Sequence, residues 1–215
     1  MVKCEKSPIE PPSLVKARQK GTKDGYRGED VIQQLRKDFH NKCYICETPK
    51  LQDPEVEHLV PHKGNLDLML DWHNLFWSCG LCNGVKNQRK YDGKIIDCCR
   101  EDPEKHICCQ YREQNVAIHP LDTEEKSIMT AELITEVFNL RNTGMRTVRS
   151  AARMEALQKE MNIFYNELAR YEQNKTPVNK RRVVVRLRRS SAYAAFKRSY
   201  IRDNPKYKEL QEYVS

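Results

Sequence analysis

No stretch of the 215-residue chain approaches the roughly 18 consecutive apolar residues that a membrane-spanning helix needs. The first dozen residues, MVKCEKSPIEPP, lack the apolar segment of a secretory signal, so a cytosolic protein without a membrane partner is expected. Internal repeats and low-complexity tracts are also absent. Apolar residues make up 39% and charged residues 32%, which is more polar than average but short of a disordered composition. Nine cysteines cannot all pair, and cytosolic thiols stay reduced, so metal binding rather than disulfide formation is the expected use of at least some of them.

The charge is unevenly spread. The chain carries 38 Lys and Arg against 30 Asp and Glu, a net +8, and residues 121–215 hold +7 of it. A basic half points to a polyanionic partner or to a solvated face. The texture changes at the same place. Residues 1–24 hold Pro8, Pro11 and Pro12 and a basic run from Lys16 to Lys23 without helix or strand period. They read as an N-terminal arm, mobile or docked on a partner. Residues 25–120 open with a helical pattern (Val31, Ile32, Leu35, Phe39) and continue as short apolar runs broken by Pro, Gly, Asn and Asp. Residues 121–215 read as helices over 124–141, 145–171 and 180–201, with Pro205 opening a last short one. The expected fold class is α+β: a small zinc-stapled module, then a mainly helical region.

Cys43-x-x-Cys46 and Cys79-x-x-Cys82 are two matched knuckles. Each directs two thiolates at one ion, and together they make the tetrahedral sulfur set of a structural Zn²⁺ site. The gap between them exceeds the common zinc-ribbon spacing, so something is inserted. Residues 56–60 and 74–78 read as strands, and the segment from Cys82 onward as a helix with Asn83 and Asn87 on one face. Glu57, His58, Asn74 and Asn83 are polar residues among apolar neighbours. A carboxylate and an amide oxygen are hard donors suited to Mg²⁺ or Mn²⁺. A neutral imidazole beside them takes a proton from water near neutral pH. Lys86, one turn after Asn83, is placed to steady a phosphate. Neighbouring strand residues face opposite ways, so Glu57 and His58 share one site only if the strand twists or ends there.

This string resembles the HNH endonucleases of ββα-metal fold, framed by the two cysteine knuckles many of them carry. The resemblance implies that His58 is the general base and Glu57 a metal ligand. It implies that Asn74 ties down the loop between the strands and that Asn83 is the last metal-binding position, followed by Lys86. Asn83 stands where the family often has His. The run RKYDGKIIDCCREDPEKHI and the closing SSAYAAFKRSYIRDNP extend the likeness to the HNH subunit of Septu-type anti-phage systems, which also occurs beside retrons. That likeness implies a nuclease effector of an anti-phage complex with an ATPase of SMC or ABC type. In retron settings it also implies a reverse transcriptase with its RNA–DNA product. DNA is the default substrate, RNA including tRNA the second, and a catalytically silent zinc-stapled nucleic-acid binder the rival class.

Other features have plainer readings. Cys98, Cys99, Cys108 and Cys109 read as small buried residues rather than a second metal site. Trp72 and Trp77 fill a core or stack on bases. His62 reads as a loop residue. Arg182, Arg186 and Arg189 share a face if their segment is helical, and form a candidate contact to nucleic-acid phosphates.

Overall fold

A computed structural model describes residues 1–113, 115–142 and 145–214. The N-terminal segment departs from the expected arm. Pro12–Lys20 is a helix, α1, with prolines at its entry and Gly21 in the left-handed conformation at its end. Met1, Val2, Cys4, Leu14 and Ala17 are buried. Lys6 donates to the carbonyls of Trp72 and Leu75 and lies over the Trp72 ring. Trp72 Nε1 donates to Ser7 O at 2.9 Å. Short range hid this: a nine-residue helix between prolines and a basic run shows little apolar period, and its burial comes from the Gly25–Arg27 turn, the helix Glu29–Asp38 and, some 50 residues on, the segment at Leu70.

Helix α2 (Glu29–Asp38) buries Val31 and Leu35 and ends at Phe39. After the first knuckle comes β1 (Pro54–His58). A short helix, α3 (Leu66–Leu70), capped by the Asn65 side chain, and a 3-10 turn (Trp72–Asn74) lead into β2 (Leu75–Cys79). The strands pair antiparallel with Glu57 opposite Phe76 and His58 opposite Leu75. Helix α4 (Gly80–Lys86) follows β2 without a gap. A second hairpin joins β3 (Ile107–Arg112) to β4 (Asn115–Pro120). Helices α5 (Glu125–Asn139), α6 (Val148–Gln173), α7 (Pro177–Leu187) and α8 (Ala194–Arg202) follow, and Pro205–Tyr213 is a 3-10 segment. One hydrophobic core runs across position 121, from Met1 and Leu35 through Phe76 and Phe138 to Phe196 and Leu210.

The segment expected as one helix over 180–201 is two. Helix α7 stops at Leu187, and residues 188–193 turn the chain, with Tyr193 at φ 49°. The turn is imposed from the other half of the molecule. Lys42 Nζ donates to Arg189 O at 2.6 Å and to Ser191 O at 2.8 Å. The Glu47 carboxylate accepts from the amides of Ala194 at 2.7 Å and Ala195 at 3.2 Å, capping α8. The same buried carboxylate pairs with Lys42 and with the Met1 amine at 2.9 Å. Burial alone would raise its pKa, but these cations and amides hold it down at about 2. At the far side of α8, Glu104 accepts from Arg198 and Arg202, each at 2.7 Å, and Ser199 Oγ accepts the Cys109 amide.

A depressed carboxylate contributes stability above its unfolded pKa and loses it as pH falls toward its folded one. Glu47 should therefore contribute fully above about pH 4.5 and lose its contribution on the way down to about 2. Glu47→Gln should lower stability by roughly 3 kcal/mol at neutral pH, by stranding buried cations. It should also flatten the pH dependence of denaturant midpoints between 4.5 and 2, measured against wild type.

Candidate metal centre and catalytic hairpin

The two knuckles converge. Cys43, Cys46, Cys79 and Cys82 are all buried, and their sulfurs lie within 4.8 Å of one another. Cys43 and Cys46 come from the turn after α2, Cys79 ends β2, and Cys82 sits one turn later on α4. Four sulfurs at that spacing are a donor set for tetrahedral Zn²⁺. The surroundings suit thiolates. Arg153, buried on α6, directs Nη2 at Cys79 Sγ at 3.0 Å and Nε at Thr48 Oγ1 at 3.3 Å. Thr48 Oγ1 is 3.1 Å from Cys46 Sγ and 3.2 Å from the Tyr193 hydroxyl. Burial pushes the Cys46 thiol up, yet hydrogen bonds from the other three sulfurs and the charge of Arg153 hold it well below its ordinary value. Arg153 escaped the sequence reading because it looks like one more basic residue of a long helix.

The other cysteines do not form such a set. Cys98 and Cys109 are buried, Cys99 and Cys108 half-buried, and among the described residues none of them joins a group of three potential ligands. Cys4 N donates to Cys98 O, and Cys108 Sγ bonds Asp203 Oδ2. His106 does gather with Asp122 and Glu124, but Asp122 also caps the turn into α5 by accepting from Glu124 N.

The hairpin between the knuckles carries the residues singled out for catalysis. Asn74 closes the loop that joins its strands: Oδ1 accepts from Val60 N at 2.8 Å, and Nδ2 donates to Val60 O and Leu68 O, both at 2.9 Å. His58 Nε2 is 3.0 Å from the carbonyl oxygen of Met69, which only accepts, so the proton sits on Nε2 and Nδ1 keeps a lone pair. The ring is flanked edge-on by Tyr26, centroids 5.0 Å apart, and by His62 at 4.7 Å. Burial lowers the His58 pKa, His62 and Lys86 lower it further, and the Met69 bond opposes them.

Glu57 lies apart from the His58 ring contacts. It is buried against Lys86, with Nζ at 2.7 Å from Oε1, and Lys86 also donates to His58 O at 3.1 Å. Glu57 Oε2 is buried and has no partner among the described residues, and burial raises the carboxyl's pKa against the pull of Lys86. Asn83 Nδ2 donates to Glu55 Oε2, leaving its own oxygen turned to other uses. Glu55 was not singled out in sequence, and alternation could have found it: it shares a strand face with Glu57. Gly80 admits these carboxylates, since a Cβ there would stand 2.9 Å from both Asp53 Oδ2 and Glu55 Oε1. Trp72 is buried with its indole satisfied by Ser7, while Trp77 is buried with Nε1 unpartnered among the described residues.

The three arginines of the expected phosphate face do not stand together as free cations. Arg182 is exposed on α7, Arg186 lies 3.7 Å from Glu160, and Arg189, beyond the helix end, pairs with Asp102 at 2.5 Å and Glu104 at 3.4 Å.

The chain is thus an α+β protein with a buried four-cysteine centre that frames a hairpin and helix. It is 24% identical over 183 residues to Septu protein PtuB of Bacillus thuringiensis, covering 80% of this chain and 68% of that one. It is 26% identical over 117 residues to Septu protein PtuB of Bacillus mycoides (strain KBAB4), covering 39% of this chain and 40% of that one. The chain is PtuB-like and stands in relation to the Septu proteins. No family model and no solved structure matches it. No helix among the described residues is long and apolar enough to cross a membrane.

Purified protein should hold about one Zn²⁺ per chain by elemental analysis. Cys79→Ser should cost solubility as well as metal, because binding is coupled to folding. Arg153→Leu should leave the metal in place but speed its loss to a chelator, since the buried sulfur cluster would lose the guanidinium that contacts Cys79.

Proposed function

We propose that the chain is a metal-dependent HNH endonuclease that hydrolyses phosphodiester bonds, with DNA as substrate, and that it acts as an effector of Septu-type anti-phage defence in complex with an ATPase. The observation that supports this reading is the anchored His58: a half-buried imidazole with Nε2 3.0 Å from Met69 O, at the end of a strand that also bears Glu55 and Glu57. The relationship to Septu PtuB supports the defence role. RNA, including tRNA, remains the second substrate class, because the chemistry neither needs nor forbids a 2′-hydroxyl.

The donor chemistry fits a hard divalent cation. Glu57 Oε2 is a buried carboxylate oxygen without a partner, and the Asn83 amide is oriented by Glu55. Glu57 and Asn83 would hold Mg²⁺ or Mn²⁺, which when bound would offset charge on the phosphoryl oxygens and on the departing 3′-oxygen. His58 Nδ1 takes the proton of the attacking water as its oxygen bonds to phosphorus. The bond to the 3′-oxygen then breaks. Lys86 neutralises Glu57 and, through the His58 carbonyl, holds the end of the strand that carries the base. Asn74 keeps the loop in register so that Met69 O meets His58. The zinc centre has no chemical step and holds the two ends of the hairpin segment together.

His58→Ala should lower cleavage by at least about 100-fold, with zinc content and melting temperature unchanged. The base works unprotonated, and burial depresses its pKa, so activity should rise with pH through a midpoint below the ordinary histidine value of 6.5. Wild-type cleavage by His58→Ala, in the presence of the ATPase partner, would overturn the assignment.

A further inference from the structure

The 3-10 turn Gly25–Arg27 stands at the edge of a cleft of about 520 Å³ whose walls include Tyr26, Arg27, Glu55, Trp77 and Asn83. That volume lies within the range of ligand sites, roughly 300–1,000 Å³. Tyr26 joins the cleft to the catalytic hairpin, because the same ring lines the cleft and meets the edge of His58. Arg27 is exposed and makes no ion pair among the described residues. Its guanidinium carbon is 5.2 Å from the Tyr26 ring centroid. Trp77 is 3% exposed, and its buried Nε1–H has no acceptor among the described residues. Trp77 contributes apolar ring surface to the wall of the cleft.

The turn is seated rather than loose. A Cβ on Gly25 would stand 2.4 Å from Ala17 Cβ and 2.8 Å from Ser13 O, so only glycine lets the turn press against α1. A Cβ on Gly28 would stand 2.5 Å from Ser13 Cβ. The N-terminal helix therefore fixes where Tyr26 and Arg27 point. On α7 Arg186 faces Glu160, and beyond its end Arg189 faces Asp102 and Glu104, while Arg182 is exposed.

We propose that this cleft holds the nucleic-acid strand next to the scissile bond, with Arg27 on a flanking phosphate and the Tyr26 ring against the adjoining nucleotide. The proposal rests on the nuclease reading for the strand's purpose, but not for its binding. An unpaired guanidinium and an aromatic face are the groups that take up a phosphate and a base.

The test uses the full chain carrying His58→Ala, in Mg²⁺, with a fluorescein-labelled 20-base-pair DNA duplex and its single strand as probes, read by anisotropy across a salt series. Arg27→Gln should weaken binding roughly tenfold and lower the slope of log Kd against log salt by about one. Arg27→Lys should restore most of that slope. Tyr26→Ala should weaken binding roughly fivefold or more through lost stacking. Unchanged affinity and salt slope in Arg27→Gln would overturn the proposal. The wild-type chain separates this failure from that of the nuclease reading. Arg27-dependent binding without cleavage, with the ATPase partner present, would sustain the cleft and remove the nuclease. Cleavage with binding and KM indifferent to Arg27→Gln would remove the cleft alone.

Discussion

Glu47 follows Cys46 directly and is a fully buried carboxylate that three separate parts of the chain must satisfy. Leaving it unpaired would cost several kcal/mol, so its partners are obligatory. Lys42 satisfies it from the approach to the first knuckle, the Met1 amine from the start of the chain, and the first amides of α8 from the last quarter. This one group therefore fixes the knuckle, the N-terminal segment and α8 relative to one another. Tyr193 takes a left-handed backbone to bring Ala194 into range, and its hydroxyl returns to Thr48 beside Cys46. The closing signature SSAYAAFKRSYIRDNP is in these terms a latch. Ser191, Tyr193, Ala194, Lys197, Arg198 and Ser199 each meet a partner drawn from outside α8, and several of those partners lie in the first half of the chain.

The hairpin depends on that arrangement. Its two strands are bounded by the knuckles, with Cys46 ahead of β1 and Cys79 and Cys82 at and after the end of β2. A two-stranded hairpin is marginal by itself. Here one face carries α4 and the Glu57–Lys86 pair, and the loop is closed by Asn74. Arg153 reaches the sulfur cluster from α6, so the helical half supplies a contact to the four-cysteine cluster itself. The two halves that differ in charge and texture are one core.

The excess positive charge has a different meaning in three dimensions than along the chain. Lys197 faces Glu160, Arg198 and Arg202 face Glu104, and Arg189 faces Asp102. Much of the basic run thus builds α8 and its surroundings rather than an open anionic-ligand surface. Arg27, in the half that carries +1, makes no ion pair among the described residues and lines the cleft beside the hairpin.

Matched spacing made the four cysteines legible from sequence, because a Cys-x-x-Cys knuckle is a local structure and two of them imply one ion. Helical period likewise exposed α2, α5 and α6, whose buried residues recur every three or four positions. The pattern from Glu57 to Lys86 named a hairpin and a helix with hard donors, since strand and turn signals are local too. What sequence could not show is which polar group meets which. Glu57 pairs with Lys86, Asn83 with Glu55, and Tyr26 with His58 because strand alternation, helix phase and the packing of α1 decide it together. The break between α7 and α8 was equally hidden, since residues 180–201 by themselves favour a helix. Tertiary structure decided it through Lys42 and Glu47: a buried ion pair more than 140 residues away offers the backbone at 189–195 better hydrogen bonds than a continued helix could.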